Sequence, residues 1–233
     1  MIIKKIKLEI RPQTVEEEFD YLWWILKEMS FFRKNNYTVE LPSHPIFLKL
    51  AQKSPKFGKI NKAGLFDLFK KEIYDPSFFK KGIATLESYR PIFNKAISRF
   101  IEMNQKWGFK IFSKYSVLLT RYGPGGNYYP DEGKILTITN IDGDLKESCL
   151  GEALIHEIIH IGIEENIINS FSLNNWEKER LVDLICKLKF KDILSGYRLQ
   201  KMGEKKIDSY ITLESIENLP KVIKKYVADF PRC

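Results

Sequence analysis

The spacing of apolar residues predicts a chain that is mainly helical, with a few short strands. The clearest helical pattern begins at Thr14, a good N-cap that is followed by three glutamates in the first turn. Its apolar positions repeat every three or four residues: Phe19, Leu22, Trp23, Leu26 and Met29. Similar patterns predict further helices over residues 60–73, 88–106, 145–161, 175–194 and 215–227.

Two parts of the chain have the pattern of strands instead. Residues 6–10 alternate between apolar and polar positions, and residues 107–141 contain apolar, β-branched stretches interrupted by glycine and proline. We expect antiparallel strands joined by a glycine-rich turn in the second part. The fold class is therefore α+β, with a mainly helical region over residues 1–106 and an α+β region over residues 107–233.

Composition limits the classes of protein that need to be considered. Hydrophobic residues make up 44% of the 233 residues and charged residues 29%, values typical of globular proteins, so a disordered or fibrous chain is excluded. The net charge is 38 − 30 = +8, but the basic residues are scattered in pairs. A solvated surface explains this excess more simply than nucleic-acid binding does.

The cysteines and the N-terminus bear on the compartment. Cys149, Cys186 and Cys233 are odd in number and widely spaced, so they form neither a disulfide framework nor a Cys-x-x-Cys metal site. The first residues lack the apolar core of a signal peptide, and no apolar run has the length of a membrane span. We therefore expect a cytoplasmic protein that does not bind a membrane.

One short motif carries the chemistry, His156-Glu157-Ile158-Ile159-His160, and it lies within a predicted helix. Histidines four residues apart lie on the same side of a helix, one turn apart, so both rings can reach one cation. Glu157 lies on the adjoining face, where it can act as a general base without being a ligand. Two buried histidines bonded to carbonyl groups, or a purely structural metal, are the alternatives that the motif leaves open.

The third ligand decides between these alternatives, because a catalytic zinc ion has three protein ligands and an open position. The only other histidine, His44, lies among prolines in a predicted loop. Glu164 and Glu165 follow Gly162, which we expect to end the helix and to turn the chain away, leaving these two as surface charges. The carboxylates of the next predicted helix are the better candidates.

Glu179 and Asp183 are four residues apart on that next helix and so share one face. Together with the histidine motif, this pair resembles the gluzincin metallopeptidases, the thermolysin-like zincins, and above all their minimal members. In that family the third ligand is a glutamate on the following helix, and an aspartate four positions later hydrogen-bonds a ligand histidine. Here Glu179 lies nineteen residues (179 − 160) after His160. The resemblance covers roughly residues 119–188.

The resemblance implies a zincin-like fold, in which a small antiparallel or mixed sheet lies beside the active-site helix and the third-ligand helix. It also implies Zn²⁺ bound by His156, His160 and Glu179, with Glu157 as the base that activates water and Asp183 behind a ligand histidine. The implied activity is hydrolysis of peptide bonds in a peptide or protein substrate. Glu177 is the rival third ligand, and the pairing of Glu179 with Asp183 favours Glu179.

Further roles follow from the same resemblance. Zincins hold the extended substrate along an edge strand just before the active-site helix, and four residues are in that position: Ile135, Leu136, Thr137 and Ile138. A tyrosine, histidine or arginine usually steadies the oxyanion, and Tyr197 or Arg198 are the candidates. The segment Gly123-Pro-Gly-Gly-Asn is either a lip over the cleft or an ordinary turn.

Two questions stay open on the sequence alone. Residues 1–106 either inhibit the site as a pro-segment, form a wall of the cleft, or complete the hydrophobic core. The alternative function is a zincin-like regulatory protein whose basic helical half binds DNA or a protein partner, although no helix-turn-helix signature is legible. Nucleic acid is therefore the less favoured partner.

Overall fold

A computed structural model describes residues 6–53, 57–145, 150–200 and 203–231. Within these ranges the chain forms eight α-helices and one four-stranded mixed sheet, which confirms the α+β class. The strands are β1 (Lys7–Pro12), β2 (Lys114–Thr120), β3 (Asn127–Tyr129) and β4 (Lys134–Ile138). The helices are α1 (Val15–Lys34), α2 (Pro45–Lys53), α3 (Lys62–Glu72), α4 (Lys80–Ser88), α5 (Arg90–Trp107), α6 (Leu150–Ile163), α7 (Asn175–Lys189) and α8 (Leu219–Asp229).

The sheet has the order β1-β2-β4-β3. Strand β1 is parallel to β2, and β2 is parallel to β4, whereas β3 is antiparallel to β4. The predicted antiparallel pairing is thus correct for β3 and β4 and wrong for β2 and β4. The reason is that β3 carries the chain back along the sheet before β4 begins, and the chain reverses at a turn in which Gly133 has φ +61°.

Strand β4 is not the edge of this sheet, so the predicted edge at residues 135–138 is wrong. Ile135 and Leu136 pair with β2 on one side and with β3 on the other. Thr137 and Ile138 pair with β2 and extend past the end of β3. Among the described residues, the edge strand on this side of the sheet is β3.

The first helix forms as its sequence predicts. The Thr14 side chain accepts a hydrogen bond from the Glu17 N–H, and the Glu17 carboxylate accepts one from the Thr14 N–H, which makes a capping box. Its buried face includes all five predicted apolar positions: Phe19, Leu22, Trp23, Leu26 and Met29. No helix in the described part of the chain is long and apolar enough to cross a membrane.

The hydrophobic core does not divide at residue 107. Its larger cluster combines Leu8 of β1 and Phe93 of α5 with Ile155 of α6 and Ile185 of α7. A smaller cluster lies between α1, α2 and α3, and it includes Tyr122, which follows β2. The N-terminal half therefore contributes residues to both clusters and supplies strand β1 of the sheet.

Gly162 does not end α6. The helix runs to Ile163, and the π-helical segment Glu164–Asn169 continues it. A Cβ atom at Gly162 would lie 1.9 Å from Cζ of Phe109, whose ring stacks on Phe100 with the centroids 5.7 Å apart. Close packing against Phe109, and not a turn of the chain, is what requires glycine at this position.

We expect Gly162→Ala to destabilise the protein. Helix propensity alone would favour alanine by about 1 kcal/mol, but the overlap with Phe109 costs about 1–3 kcal/mol or more. Urea denaturation measures the free energy of unfolding. Gly125→Ala is the matched control, because no atom lies within 4 Å of its added Cβ. A free energy of unfolding that is unchanged or higher in Gly162→Ala would contradict this packing.

Candidate metal centre

Helices α6 and α7 bring the candidate ligands together. Ile155, Ile158 and Ile159 are fully buried in the larger core cluster, and they fix the face on which α6 presents its histidines. His156 and His160 are only 6% and 2% exposed. Both rings lie near Glu179 of α7.

The distances between the ligand atoms fit a tetrahedral metal ion. Nε2 of His156 lies 3.0 Å from Nε2 of His160, and Oε2 of Glu179 lies 3.6 Å from the first and 3.4 Å from the second. Bonds of about 2.0–2.1 Å at tetrahedral angles separate ligand atoms by about 3.3–3.4 Å. The group of His156, His160 and Glu179 can therefore hold a metal ion.

The electrostatics of the group keep the carboxylate charged and one imidazole neutral. Burial alone would raise the pKa of Glu179, but the nearby rings of His156 and His160 hold it well below the usual range. Burial lowers the pKa of His160 to about 4, with the charge of His156 adding to the effect. Burial also opposes charge on His156, yet Cys186 and Glu179 raise its pKa to about 10. A metal ion would take the place of the proton that the two rings compete for.

His156 is held from behind by a tyrosine and an aspartate. The Tyr197 hydroxyl lies 2.8 Å from Nδ1 of His156 and donates a hydrogen bond of 2.6 Å to Oδ1 of Asp183. The direct distance from His156 Nδ1 to Asp183 Oδ1 is 3.8 Å, which is too long for a hydrogen bond. The other carboxylate oxygen of Asp183 accepts from the Gln200 N–H at 2.7 Å. Asp183 is therefore linked to His156 through the Tyr197 hydroxyl and not by a direct hydrogen bond.

This position does not suit the role predicted for Tyr197. An oxyanion-stabilising group must face the side of the site where the substrate binds. The Tyr197 hydroxyl instead bonds to Nδ1 of His156, which is the ring nitrogen away from Glu179. Arg198, the other candidate, is exposed. Tyr197 therefore contacts His156 on the side of the ring away from Glu179.

His160 is held in a different way. The ring of Tyr128, on β3, stacks on the His160 ring with the centroids 4.9 Å apart and the planes 11° apart. The Tyr128 hydroxyl donates to Glu164 at 3.0 Å and accepts from Lys178 at 2.7 Å. Nδ1 of His160 is buried and has no hydrogen-bond partner among the described residues. Stacking against Tyr128 therefore fixes the orientation of the His160 ring, whereas a hydrogen bond with Tyr197, which is itself bonded to Asp183, fixes that of the His156 ring.

The two glutamates after Gly162 differ in their surroundings. Glu164 is half-buried and is bonded to Tyr128, so the prediction that it is a surface charge is wrong. Glu165 is exposed and pairs with Lys110, as expected of a surface charge. The difference arises because the π-helical segment continues α6 and does not lead the chain away, which leaves Glu164 next to Tyr128.

Glu177, the rival third ligand, has another task. Its carboxylate accepts a hydrogen bond from the Asn174 N–H at 2.9 Å and another from the Tyr226 hydroxyl at 2.7 Å. The Asn174 side chain in turn accepts from the Glu177 N–H, so the two residues form the capping box of α7. Glu177 therefore fixes the start of α7 and its contact with α8, whereas Glu179 faces the histidines.

Glu157 lies between the two histidines along α6. It is half-buried and borders a narrow cleft between α6 and β4, together with Gly126 and Ile135. Its charge adds to the larger effects of Cys186 and Glu179 in raising the pKa of His156, and to those of burial and Glu164 in raising the pKa of Tyr128. His44 lies elsewhere, before α2, where its Nδ1 accepts from the Ile46 N–H.

Sequence reasoning missed two residues at this centre. Tyr128 has no signal that would have identified it, because its role depends on how β3 packs across α6. Gln200, whose side-chain nitrogen lies 3.5 Å from Nε2 of His156, lies in an irregular segment with no recognisable pattern. The role of Glu177 was readable, since asparagine followed three residues later by glutamate is a capping-box pattern.

Comparison of the chain with models of protein families, with curated proteins and with solved structures gives no match. Inference about function therefore rests on the geometry of this centre.

The two candidate third ligands make opposite predictions. We expect Glu179→Ala to lower zinc affinity strongly, with more effect than the 10- to 100-fold loss that is usual for an outer residue. Glu177→Ala should retain zinc affinity but lower the free energy of unfolding by about 1–3 kcal/mol, because Tyr226 loses its acceptor and α7 loses its cap. Chelator competition and urea denaturation measure the two quantities. The reverse pattern would identify Glu177 as the ligand.

The bridge through Tyr197 makes a separate prediction. We expect both Tyr197→Phe and Asp183→Ala to lower zinc affinity by about 10- to 100-fold, and the double variant to lose less than the sum of the two in free energy. Tyr210→Phe is the control, since the Tyr210 hydroxyl bonds to Asp229 on the surface. Wild-type affinity in Tyr197→Phe alongside a loss in Asp183→Ala would mean that Asp183 contacts His156 directly.

Proposed function

We propose that this protein is a zinc-dependent metallopeptidase of gluzincin type with a zincin-like catalytic fold. The observation that carries the proposal is the triangle of His156, His160 and Glu179, with Glu157 beside it on the same helix. Three ligands leave one tetrahedral position for water or substrate, which is the pattern of a catalytic zinc site and not of a structural one. The mixed sheet beside α6 and α7 is compatible with such a fold.

The donor set favours zinc. Two imidazole nitrogens and one carboxylate oxygen are typical of hydrolytic zinc centres, while calcium and magnesium prefer sites made of oxygen atoms alone. When bound, zinc acts as a Lewis acid and lowers the pKa of a water in its open position toward about 7.

Glu157 supplies the proton transfers of the reaction. Its carboxylate takes a proton from the attacking water as the water oxygen bonds to the peptide carbonyl carbon. It then gives that proton to the departing nitrogen as the carbon–nitrogen bond breaks, so the products are a carboxylic acid and an amine. The half-buried position of Glu157, between the ligand histidines and the cleft, suits both steps.

Strand β3 supports a peptide as the substrate. It is the edge strand on this side of the sheet in the described part of the chain, and its central residue, Tyr128, lies against His160. An extended peptide can pair with the outer backbone groups of such a strand, and this pairing would hold a scissile bond beside α6. The strand that we assign to substrate binding is thus β3, in place of β4.

We expect Glu157→Gln to lower kcat for peptide hydrolysis by about 10²- to 10⁴-fold, which is the usual contribution of a general base. Zinc content should stay at the wild-type level, because Glu157 is not a ligand. Cleavage of an unfolded protein such as reduced casein measures the activity, and Glu165→Gln is the control for the loss of one surface charge. Loss of zinc together with activity would contradict this role, and undiminished hydrolysis would remove Glu157 from the mechanism.

A further inference from the structure

The two faces of strand β3 border two different sites. Tyr128 points to the face of the sheet that carries α6, where its ring stacks on His160. Its neighbours Asn127 and Tyr129 line a groove on the opposite face, beside α1. Side chains alternate between the faces of a strand, and a peptide paired with β3 would continue this alternation. One of its residues would face the metal centre, and the next would face the groove.

The groove has a volume of about 550 Å³, which is enough for a large side chain. Apart from Gln13, its lining residues come from α1 and from strands β2, β3 and β4. Its uncharged lining is Gln13, Tyr21, Trp24, Leu118, Asn127, Tyr129 and Leu136. Trp24 is 45% exposed although it stacks on Tyr21, with the centroids 5.7 Å apart and the planes 18° apart. The stacked pair therefore presents an aromatic surface to the groove.

The charged residues of the groove are neutralised by partners. Each forms an ion pair with a residue of opposite charge: Glu17 with Arg11, Asp20 with Lys62, and Lys134 with Glu132. Arg11 holds the pKa of Glu17 down at about 2, against the effect of burial. A cationic or anionic guest would have to compete with these pairs, whereas the aromatic surface remains available to an uncharged guest.

We propose that this groove is a substrate subsite for an aromatic or large aliphatic side chain, next to the residue of the bound peptide that faces the metal centre. The inference rests on the proposed peptidase function and deepens it, because it names the class of substrate. Burying such a side chain against Trp24 and Tyr129 adds binding free energy at a position that the metal does not touch. The protein should thus prefer unfolded segments that carry a large apolar residue near the scissile bond.

Cleavage-site profiling of the zinc-loaded protein on a denatured proteome digest tests the proposal. We expect aromatic or large aliphatic residues to be enriched at a position adjacent to the one that faces the metal. Trp24→Ala and Tyr129→Ala should each reduce that enrichment, while Trp176→Ala, which removes an equally exposed tryptophan from α7, should not. Thermal denaturation identifies a variant that fails to fold. If one of the two groove variants does not fold, the other is enough to test the proposal.

Peptide binding gives a readout that does not depend on turnover. The zinc-loaded Glu157→Gln variant is titrated with two fluorescein-labelled decapeptides. One carries phenylalanine at the enriched position, and the other carries alanine there. We expect phenylalanine to bind about 10- to 100-fold more tightly, and addition of Trp24→Ala to remove most of the difference.

The outcomes separate the subsite from the function. Cleavage without enrichment of apolar residues, or enrichment that survives both groove variants, would overturn the subsite and leave the peptidase proposal standing. The absence of any cleavage by the zinc-loaded wild-type protein would overturn both.

Discussion

Two imidazole nitrogens and a carboxylate oxygen lie within 3.6 Å of one another in a position that is largely shielded from water. Lone pairs brought this close repel one another, and burial removes the water that would otherwise solvate them. A positive charge between the three atoms offsets this repulsion. A divalent cation supplies two positive charges, whereas a shared proton supplies one. The packing of α6 against α7 is therefore constrained by this centre, because a small shift of either helix would separate the donors.

Several features of the fold serve this constraint. Gly162 lets Phe109 approach α6 closely, so the helix stays packed as it continues beyond His160. The capping box of Asn174 and Glu177 fixes where α7 starts and hence which way Glu179 points. The two histidine rings are oriented in different ways. Tyr197 and Asp183 form a hydrogen-bonded pair behind His156, and the ring of Tyr128 stacks on His160. The stacking residue belongs to β3, so the strand proposed to bind the peptide also contacts the ring of His160.

What the sequence could predict was set by the range of the interactions involved. The histidine motif, the helix that begins after Thr14 and the pairing of Glu179 with Asp183 all depend on helical spacing, which is local. The pairing order of the strands is not local, and for this reason β4 was taken for the edge when β3 occupies it. The side of His156 on which Tyr197 lies could not be predicted either, because an irregular connection after α7 determines it. Gly162 is a third kind of case. A glycine in a helical pattern can either end the helix or allow close packing inside it, and the sequence does not distinguish the two; here it packs against Phe109.

X-ray absorption at the zinc edge, on protein loaded with one equivalent of Zn²⁺, tests the central claim most directly. The account predicts a first shell of nitrogen and oxygen atoms alone at about 2.0–2.1 Å, with the outer-shell scattering of two imidazole rings. Cys186 is fully buried and close enough to His156 to affect its pKa, so it is the donor that would compete if the helices packed differently. A zinc–sulfur distance of about 2.3 Å, or the scattering of fewer than two imidazoles, would contradict the assignment of His156, His160 and Glu179 as the metal ligands.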